Sequence, residues 1–357
     1  MGIVTTISGL IGLALQTPIG AAIDATRAKR AVVLVALVAT ALGAIVIFAT
    51  PTFWPVLTAN TAIAIFGDVF GPAVATLTLG LFTRDQLARR MGRNGAFDHV
   101  GNIVIALVAG GIGWMFGQRA VFLLVPFFAM LSAGAVLSIP AASIDHNRAR
   151  GADVDRPEGD ASGARARRGY RLLAVFALCA MLFHFANAPF LPLVGQKLAL
   201  VNREFATPLM SSCIVAAQLV MLPVALFAGR KAGQWGRKPV LLIGFAVLPA
   251  RALLYTISDN SAWLIAVQLL DGVGAGIWGV LTPLVVADLM AGTGRYNFAL
   301  GVVATAHGIG ASLSGLAAGL TVDHFGYNVA FVIAAAVAFL ALIVLYLSVP
   351  ETCAYDT

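Results

Sequence analysis

Charge is what this chain has least of. Only 11% of its 357 residues are Asp, Glu, Lys or Arg, where a soluble domain carries about a quarter. So thin a charged coat excludes an ordinary water-soluble surface, and lipid is the expected solvent. Cysteine is scarce too. Cys179, Cys213 and Cys353 are scattered and form no Cys-x-x-Cys, so zinc, iron–sulfur and redox-motif chemistry have no support, and no metal or cofactor is expected. No Walker motif, Gly-x-Ser-x-Gly elbow, His-Glu-x-x-His pair or dinucleotide fingerprint stands in a convincing context. That argues against an ATP-driven pump and against an enzyme. Acidic residues, 16 against 23 basic, leave a net charge of +7. No basic stripe interleaved with aromatics accompanies it, which excludes nucleic acid as a partner. Basic loops on one side of a membrane explain the same excess.

What the chain does have is apolar length. Hydrophobic residues make up 60% of it, and a bilayer core about 30 Å thick needs roughly 20 such residues per helix. Runs of that order cover 3–23, 31–50, 53–82, 95–117, 121–141, 172–193, 208–228, 240–257, 262–289, 298–322 and 329–349. The fold expected is all-α, with about eleven transmembrane helices. A β-barrel would show alternating segments of about ten residues, and these runs are continuous. One long polar stretch interrupts them, 143–171, rich in Arg, Gly, Ala and Asp and containing Pro157. It reads as a flexible linker. The expected organisation is a five-helix bundle over 1–142, the linker over 143–171, a six-helix bundle over 172–350 and a tail over 351–357.

Lys and Arg set the orientation. Alternate loops hold Arg27, Lys29 and Arg30; Arg84, Arg89, Arg90 and Arg93; seven arginines of the linker; Arg230, Lys231, Arg237 and Lys238; and Arg295. The opposite set holds Arg119, Lys197 and Arg203. The first side is therefore expected to be cytoplasmic, with the linker and C-terminus, in a bacterial inner membrane. With eleven helices Met1 faces outward, and a further helix upstream of Met1 would repair the count to twelve.

The two halves repeat one another. Gly20-Ala-Ala-Ile-Asp24-Ala-Thr-Arg27-Ala-Lys29-Arg30 follows the first helix, and Gly229-Arg-Lys-Ala-Gly233-Gln-Trp-Gly236-Arg237-Lys238 follows the seventh run. Gly67 to Gly71 and Gly272 to Gly276 occupy matching helices, as do Gly117 to Phe122 and Gly326 to Phe331. Parallel six-helix repeats split by a polar loop are one plan of secondary transporters. The Gly-x-x-x-Asp-x-x-x-x-basic-basic loop resembles the signature of the major facilitator superfamily. In that family it lies between helices two and three, which again implies that helix one is absent. The resemblance covers essentially the whole chain and implies two pseudo-symmetric bundles around a central cavity, with alternating access. It also implies a cytoplasmic gating motif of Gly20, Asp24, Arg27, Gly229, Arg237 and Lys238. There the Asp24 carboxylate would sit near a helix N-terminus of the other half, where the helix dipole favours negative charge. The second copy departs from the pattern, because Gly233 stands at its acidic position. The antiporter motif of the fifth family helix is only echoed by Gly101, Gly110 and Gly113.

Ionisable groups in hydrocarbon cost at least a few kcal/mol and mark functional paths. The substrate and proton pathway expected from sequence is Asp68, Asp98, His99, His184, Asn187, Gln218, Asp271 and His307. His184 and Asn187 share a helix face three residues apart, just before Pro189. Histidine exchanges protons near neutral pH, and a carboxylate in a dry cavity can do the same. Asp271 is the preferred cavity carboxylate. Arg251 fits a partner acid, a substrate anion or a position near the outer interface. Gly67-x-x-x-Gly71, Gly272-x-x-x-Gly276 and Gly315-x-x-x-Gly319 are read as close helix packing. The function expected is secondary active transport of a small organic solute, proton-coupled and exporting. Its partners would be the solute, protons and the bilayer, and sequence leaves the oligomeric state unknown. The alternative is a truncated, non-transporting relative that serves as a sensor or assembly partner.

Overall fold

The structure is a computed structural model, and it describes residues 2–152, 163–201 and 206–353. Linker residues 153–162, with Arg156 and Pro157, lie outside the described residues, as do Arg203 and the tail 354–357. Twelve helices follow in order among the described residues: α1 Gly2–Ala25, α2 Lys29–Ala49, α3 Phe53–Leu81, α4 Arg84–Phe116, α5 Leu124–Leu137, α6 His146–Ala149, α7 Gly163–Asn187, α8 Phe190–Val201, α9 Ala206–Gln234, α10 Arg237–Leu254, α11 Ser261–Leu289 and α12 Tyr296–Ser348. No strand occurs among them. The 53 residues of α12 are broken at Gly326, whose φ of 81° and ψ of 173° are not helical. Glycine alone adopts that conformation cheaply. The break separates the last two expected passages. Among the described residues eleven helical passages therefore follow one another, as the apolar runs indicate.

Helix ends depart from the apolar runs for a physical reason. The fourth helix begins at Arg84 rather than near 95, and the sixth passage at Gly163 rather than near 172. Both early turns are rich in arginine. Hydropathy marks where lipid begins, while the backbone ladder continues past it. The flank of the linker is ordered as well. Asp145 caps the short α6, its Oδ1 accepting from the amides of Asn147 and Arg148 at 2.9 Å each. The Asp145 amide donates to Gly80 O at 3.0 Å.

The chain forms two compact units that are not contiguous in sequence. The first holds Met1–Arg84, Val104–Ala166 and Met290–Thr305; the second holds Asp85–Ile103, Arg167–Leu289 and Ala306–Thr357. In the first unit, α1, α2, α3 and α5 meet around Ile23, Val33, Leu37, Val69, Leu77 and Ala129. In the second, Phe176, Phe245, Leu264, Ile277, Leu281 and Phe331 are almost wholly buried.

Glycines show where helices cross closely. A Cβ at Gly272 would lie 2.5 Å from Ala217 O and 2.6 Å from Val220 Cβ, and one at Gly276 would lie 3.0 Å from Val224 Cγ1. This pair does pack α11 on α9. The other two motifs do not behave as expected. A Cβ at Gly67, Gly71, Gly315 or Gly319 meets nothing within 4 Å. Spacing alone does not bring a second helix to the glycine face. Gly272→Ala should therefore lower the apparent melting temperature in detergent by several degrees, an overpacking cost of about 1–3 kcal/mol. Gly67→Ala should leave melting unchanged or slightly raised, because alanine is the better helix former. Equal melting of the two variants would contradict the α9–α11 crossing.

Candidate functional site

Three helices of the second unit bring a polar cluster together. Arg251 of α10 is 2% exposed. Its Nη1 donates to Asn187 Oδ1 of α7 at 2.7 Å and to Asp271 Oδ1 of α11 at 2.5 Å. Nη2 donates to Gln268 Oε1 at 3.0 Å, and Nε to the Tyr255 hydroxyl at 3.2 Å. Tyr255 in turn donates to Gln268 Oε1, and Gln268 Nε2 to Asp271 Oδ2 at 3.2 Å. The guanidinium also lies 4.9 Å from the Phe190 ring centroid, a cation–π distance. A buried guanidinium needs acceptors in fixed directions, and these side chains supply them. A 10 Å³ cavity touches Asn187, Arg251 and Asp271, room for about one water. Arg251, in the last turn of α10, thus has the partner acid that was one of its expected roles.

Three of the histidines make two separate contacts. His184 of α7 and His307 of α12 stack with centroids 3.3 Å apart and planes 5° from parallel. The Trp278 ring meets His184 edge-on at 5.2 Å and is itself stacked between Phe176 and Phe183. Nε2 of His184 is buried without a partner among the described residues. His99 of α4 lies elsewhere in this unit, its Nδ1 2.9 Å from Gln218 Oε1 of α9. Asp98 is exposed, and Asn102 Nδ2 donates to it at 3.3 Å. Successive residues of a helix point about 100° apart, so Asp98 and His99 face different neighbours.

The first unit carries two carboxylates with different surroundings. Asp68 of α3 accepts from Gln16 Nε2 of α1 at 3.2 Å, beside Gly12. Asp24, at the end of α1, caps α12. Its Oδ1 accepts from the Asn297 amide at 3.0 Å and from Asn297 Nδ2 at 2.7 Å, and its Oδ2 from the Phe298 amide at 2.9 Å. Those amides have no partner within the helix, and the dipole there favours an anion. Gly20 permits the approach, since a Cβ there would collide with the Asn297 carbonyl. Lys29 is buried and donates to the Ile23 and Asp24 carbonyls at the C-terminus of α1. Arg27 is exposed and makes no bond among the described residues. Arg30 donates to Leu137 O at 2.9 Å.

The second basic loop is built differently. Gly229 of α9 meets Gly92 of α4, where a Cβ on either would lie within 2.7 Å of the other's Cα. Arg237 is buried, donating through Nε to Asp288 Oδ2 at 3.1 Å and through Nη1 to Ala232 O at 2.6 Å. With Gly233 at the acidic position, the carboxylate at this loop comes from Glu351 and caps α10, the helix that follows the loop. That carboxylate accepts from the Arg237 and Lys238 amides at 2.7 and 3.0 Å, at the start of α10. Among the described residues no group of three His, Cys, Asp or Glu side chains could hold a metal.

The family model for the Major Facilitator Superfamily matches residues 1–230 and again 173–355. The chain belongs to the major facilitator superfamily. It is 48% identical over 356 residues to an uncharacterized MFS-type transporter of Mycobacterium tuberculosis, covering 99% of this chain and 85% of that protein. A shorter similarity, 26% over 127 residues, links it to multidrug resistance protein D of Escherichia coli, covering 35% of this chain and 31% of that one. Among solved structures, the E. coli fucose:proton symporter superposes with a TM-score of 0.76 at 12% identity, over 96% of this chain and 89% of that one. The proton:xylose symporter XylE gives 0.69 at 16%, over 97% and 85%. These two likenesses concern the fold. As a member of this superfamily the protein is a multi-pass membrane transporter and not an enzyme.

Within that facilitator fold, sequence reasoning missed Gln268, Tyr255, Gln16, Lys29, Asn297, Asp288 and Glu351 as partners. Some signal was present. Arg251 and Tyr255 are four apart on α10, and Gln268 and Asp271 three apart on α11, so each pair shares a face. Glu351 gave no such signal, because it acts on amides more than a hundred residues away. The Asp24 geometry makes a measurable claim. Asp24→Ala should speed deuterium exchange at the Asn297 and Phe298 amides by roughly tenfold, the worth of an N-cap near 1.4 kcal/mol. Asp24→Asn, with one acceptor oxygen left, should fall between. Unaltered exchange there in Asp24→Ala would remove the cap.

Proposed function

We propose that this transporter is a secondary active carrier that moves a small organic solute by alternating access, coupled to protons and working in export of a drug or metabolite. Two pseudo-symmetric bundles, 1–142 and 172–350, move about the path, joined by the linker 143–171, with 351–357 as the tail. The membrane is a bacterial inner membrane, with linker and C-terminus cytoplasmic, supported by the one-sided Lys and Arg loops.

The observation that carries this reading is the ion pair of Arg251 and Asp271, 2.5 Å apart in helices of membrane length. A proton arriving on Asp271 cancels the counter-charge of a buried guanidinium. Arg251 must then find another acceptor or lose its position, and α7, α10 and α11 are free to repack. Proton uptake at Asp271 can thus drive the repacking that carries the solute, without the solute itself occupying that carboxylate. Asp68, held by Gln16, is the corresponding acid of the other half. Asn187, Gln218, the His184–His307 stack, His99 and Asp98 supply polar positions along the route. Gly20, Asp24, Arg27, Gly229, Arg237 and Lys238 form the cytoplasmic gate, in which the Asp24 cap opens when the helices part. Export agrees with the partial similarity to multidrug resistance protein D, and proton coupling with the fold shared with proton symporters.

Reconstitution in liposomes tests it. Wild-type protein should drive uphill movement of some member of an organic-solute panel when a pH gradient is imposed. Asp271→Asn should abolish uphill movement while retaining solute counterflow, because exchange needs no net proton. His307→Ala should alter the pH profile of the flux. Uphill transport persisting in Asp271→Asn would move the coupling site elsewhere, and a panel with no pH-sensitive flux would remove proton coupling.

A further inference from the structure

The Arg251 cluster holds more hydrogen-bond donors than its own acceptors use. A guanidinium carries five N–H groups and accepts nothing. Four bonds leave Arg251 among the described residues, to Asn187, Asp271, Gln268 and Tyr255. One N–H of an almost fully buried side chain is left over. Because arginine only donates, Asn187 must turn its oxygen towards Nη1. Its Nδ2 then keeps two N–H groups that nothing among the described residues accepts. Both side chains border the 10 Å³ cavity, together with Asp271, Phe183, Leu270 and Ala275. That space admits about one oxygen-sized atom. The Asp271 side chain is 18% exposed, so the cluster is open on that flank to a larger body.

Charge decides when an oxygen enters. With Asp271 ionised, its charge and that of Arg251 cancel, and a second anion gains little. With a proton on Asp271, the cluster keeps one buried positive charge with three spare donors around it. A cation is repelled in that state, and a neutral carbonyl leaves the charge unbalanced. A carboxylate supplies both the acceptor and the counter-charge. Few other groups intervene. Tyr255 of α10 and Cys213 of α9 are the other titratable groups beside the pair. From α7, α8 and α12 the neighbours are Asn187, Phe190 and Phe331. His184, one turn before Asn187, is stacked on His307 instead.

We infer that this cavity is the subsite for the carboxylate of the transported solute, a small organic monoanion that pairs with Arg251 and Asn187 when Asp271 holds a proton, its apolar body lying beside Phe183, Leu270 and Ala275. This rests on the reading of Asp271 as the proton site. Proton and anion bind together, so they cross together, and an organic acid accumulated inside leaves with its proton.

The probe is benzoate, titrated calorimetrically into the purified full chain in detergent, with benzylammonium as the cation of similar shape. Benzoate should bind about tenfold more tightly in mildly acidic than in alkaline buffer, a usual strength of coupling between two bound species. Near neutral pH its binding should take up protons, read as a dependence of the heat on the ionisation enthalpy of the buffer. Benzylammonium should not bind. Asp271→Asn, nearly isosteric and permanently neutral, should bind benzoate with neither pH dependence nor proton uptake. Asn187→Asp, which keeps an acceptor for Arg251 and adds a negative charge, should weaken benzoate about tenfold or more. Wild-type binding without proton uptake, equal binding of cation and anion, no binding of benzoate at millimolar concentration in acid, or pH dependence surviving in Asp271→Asn would each overturn the inference. The wild-type readouts decide it even where a variant does not fold. Uphill transport abolished by Asp271→Asn, with no benzoate site, would leave the coupling and remove the anion. Proton-linked benzoate binding, with uphill transport persisting in Asp271→Asn, would do the reverse.

Discussion

A guanidinium in a hydrocarbon layer has nowhere to go except to other side chains. Water is absent and lipid offers no acceptor, so the cost of an unpartnered arginine is at least a few kcal/mol. Arg251 is the residue on which the second unit's arrangement turns. Its fork reaches α7 through Asn187 and α11 through Asp271 and Gln268, and it braces its own helix through Tyr255. Removing one partner of such a pair leaves the other charge stranded, at about 3–5 kcal/mol. The register of three helices is therefore tied to one ionic contact. An apolar interface, which tolerates sliding, would not give that tie.

The Asp24 carboxylate of the first unit solves a different problem. Among the described residues no basic side chain donates to the Asp24 carboxylate, and the buried Lys29 ammonium beside it donates to the Ile23 and Asp24 backbone carbonyls instead. The carboxylate accepts from the open amides of a helix and from one amide side chain. Such a cap is directional and short-ranged, since the dipole effect fades within the first turn. It also needs a glycine beneath it, because at Gly20 any side chain would occupy the Asn297 carbonyl. The motif's glycine and acid thus act as one device, clearance and acceptor. The second copy keeps the glycine clearance at Gly229, against Gly92, and draws its carboxylate from Glu351 after the last helix. The two loops thus place their carboxylates on different helices, Asp24 on α12 and Glu351 on α10.

The helices were legible in the sequence because lipid imposes a single rule on length and polarity, and that rule is local. Their ends were not, since arginine-rich turns at Arg84 and before Leu172 are helical yet polar. Side-chain identity singled out Arg251, Asp271, His184 and Asn187, as expensive residues in apolar runs. Which of them meet was decided by helix rotation and crossing. That is why His307 lies on His184 while His99 goes to Gln218. Glycine spacing was the weakest guide. The same four-residue interval packs a helix at Gly272 and leaves open space at Gly315, because the interval describes one surface and says nothing of what faces it.

A transport cycle requires that at least one contact be strong in one state and dispensable in another. Hydrophobic packing serves poorly for this, because its gain changes gradually with area. Ion pairs and caps are better suited, since a proton or a displacement of about an ångström removes them abruptly. On the proposed reading Asp271 and Asp24 divide that work. Asp271 has a cation beside it and so responds to protonation by releasing a charge that must be satisfied again. Asp24 has neutral donors and so responds mainly to distance, holding until its helix withdraws. Coupling then needs no rigid wire between them. It needs only that repacking α7, α10 and α11 around Arg251 shift α12, which contributes His307 to one end of that neighbourhood and the Asn297 amide to the cap.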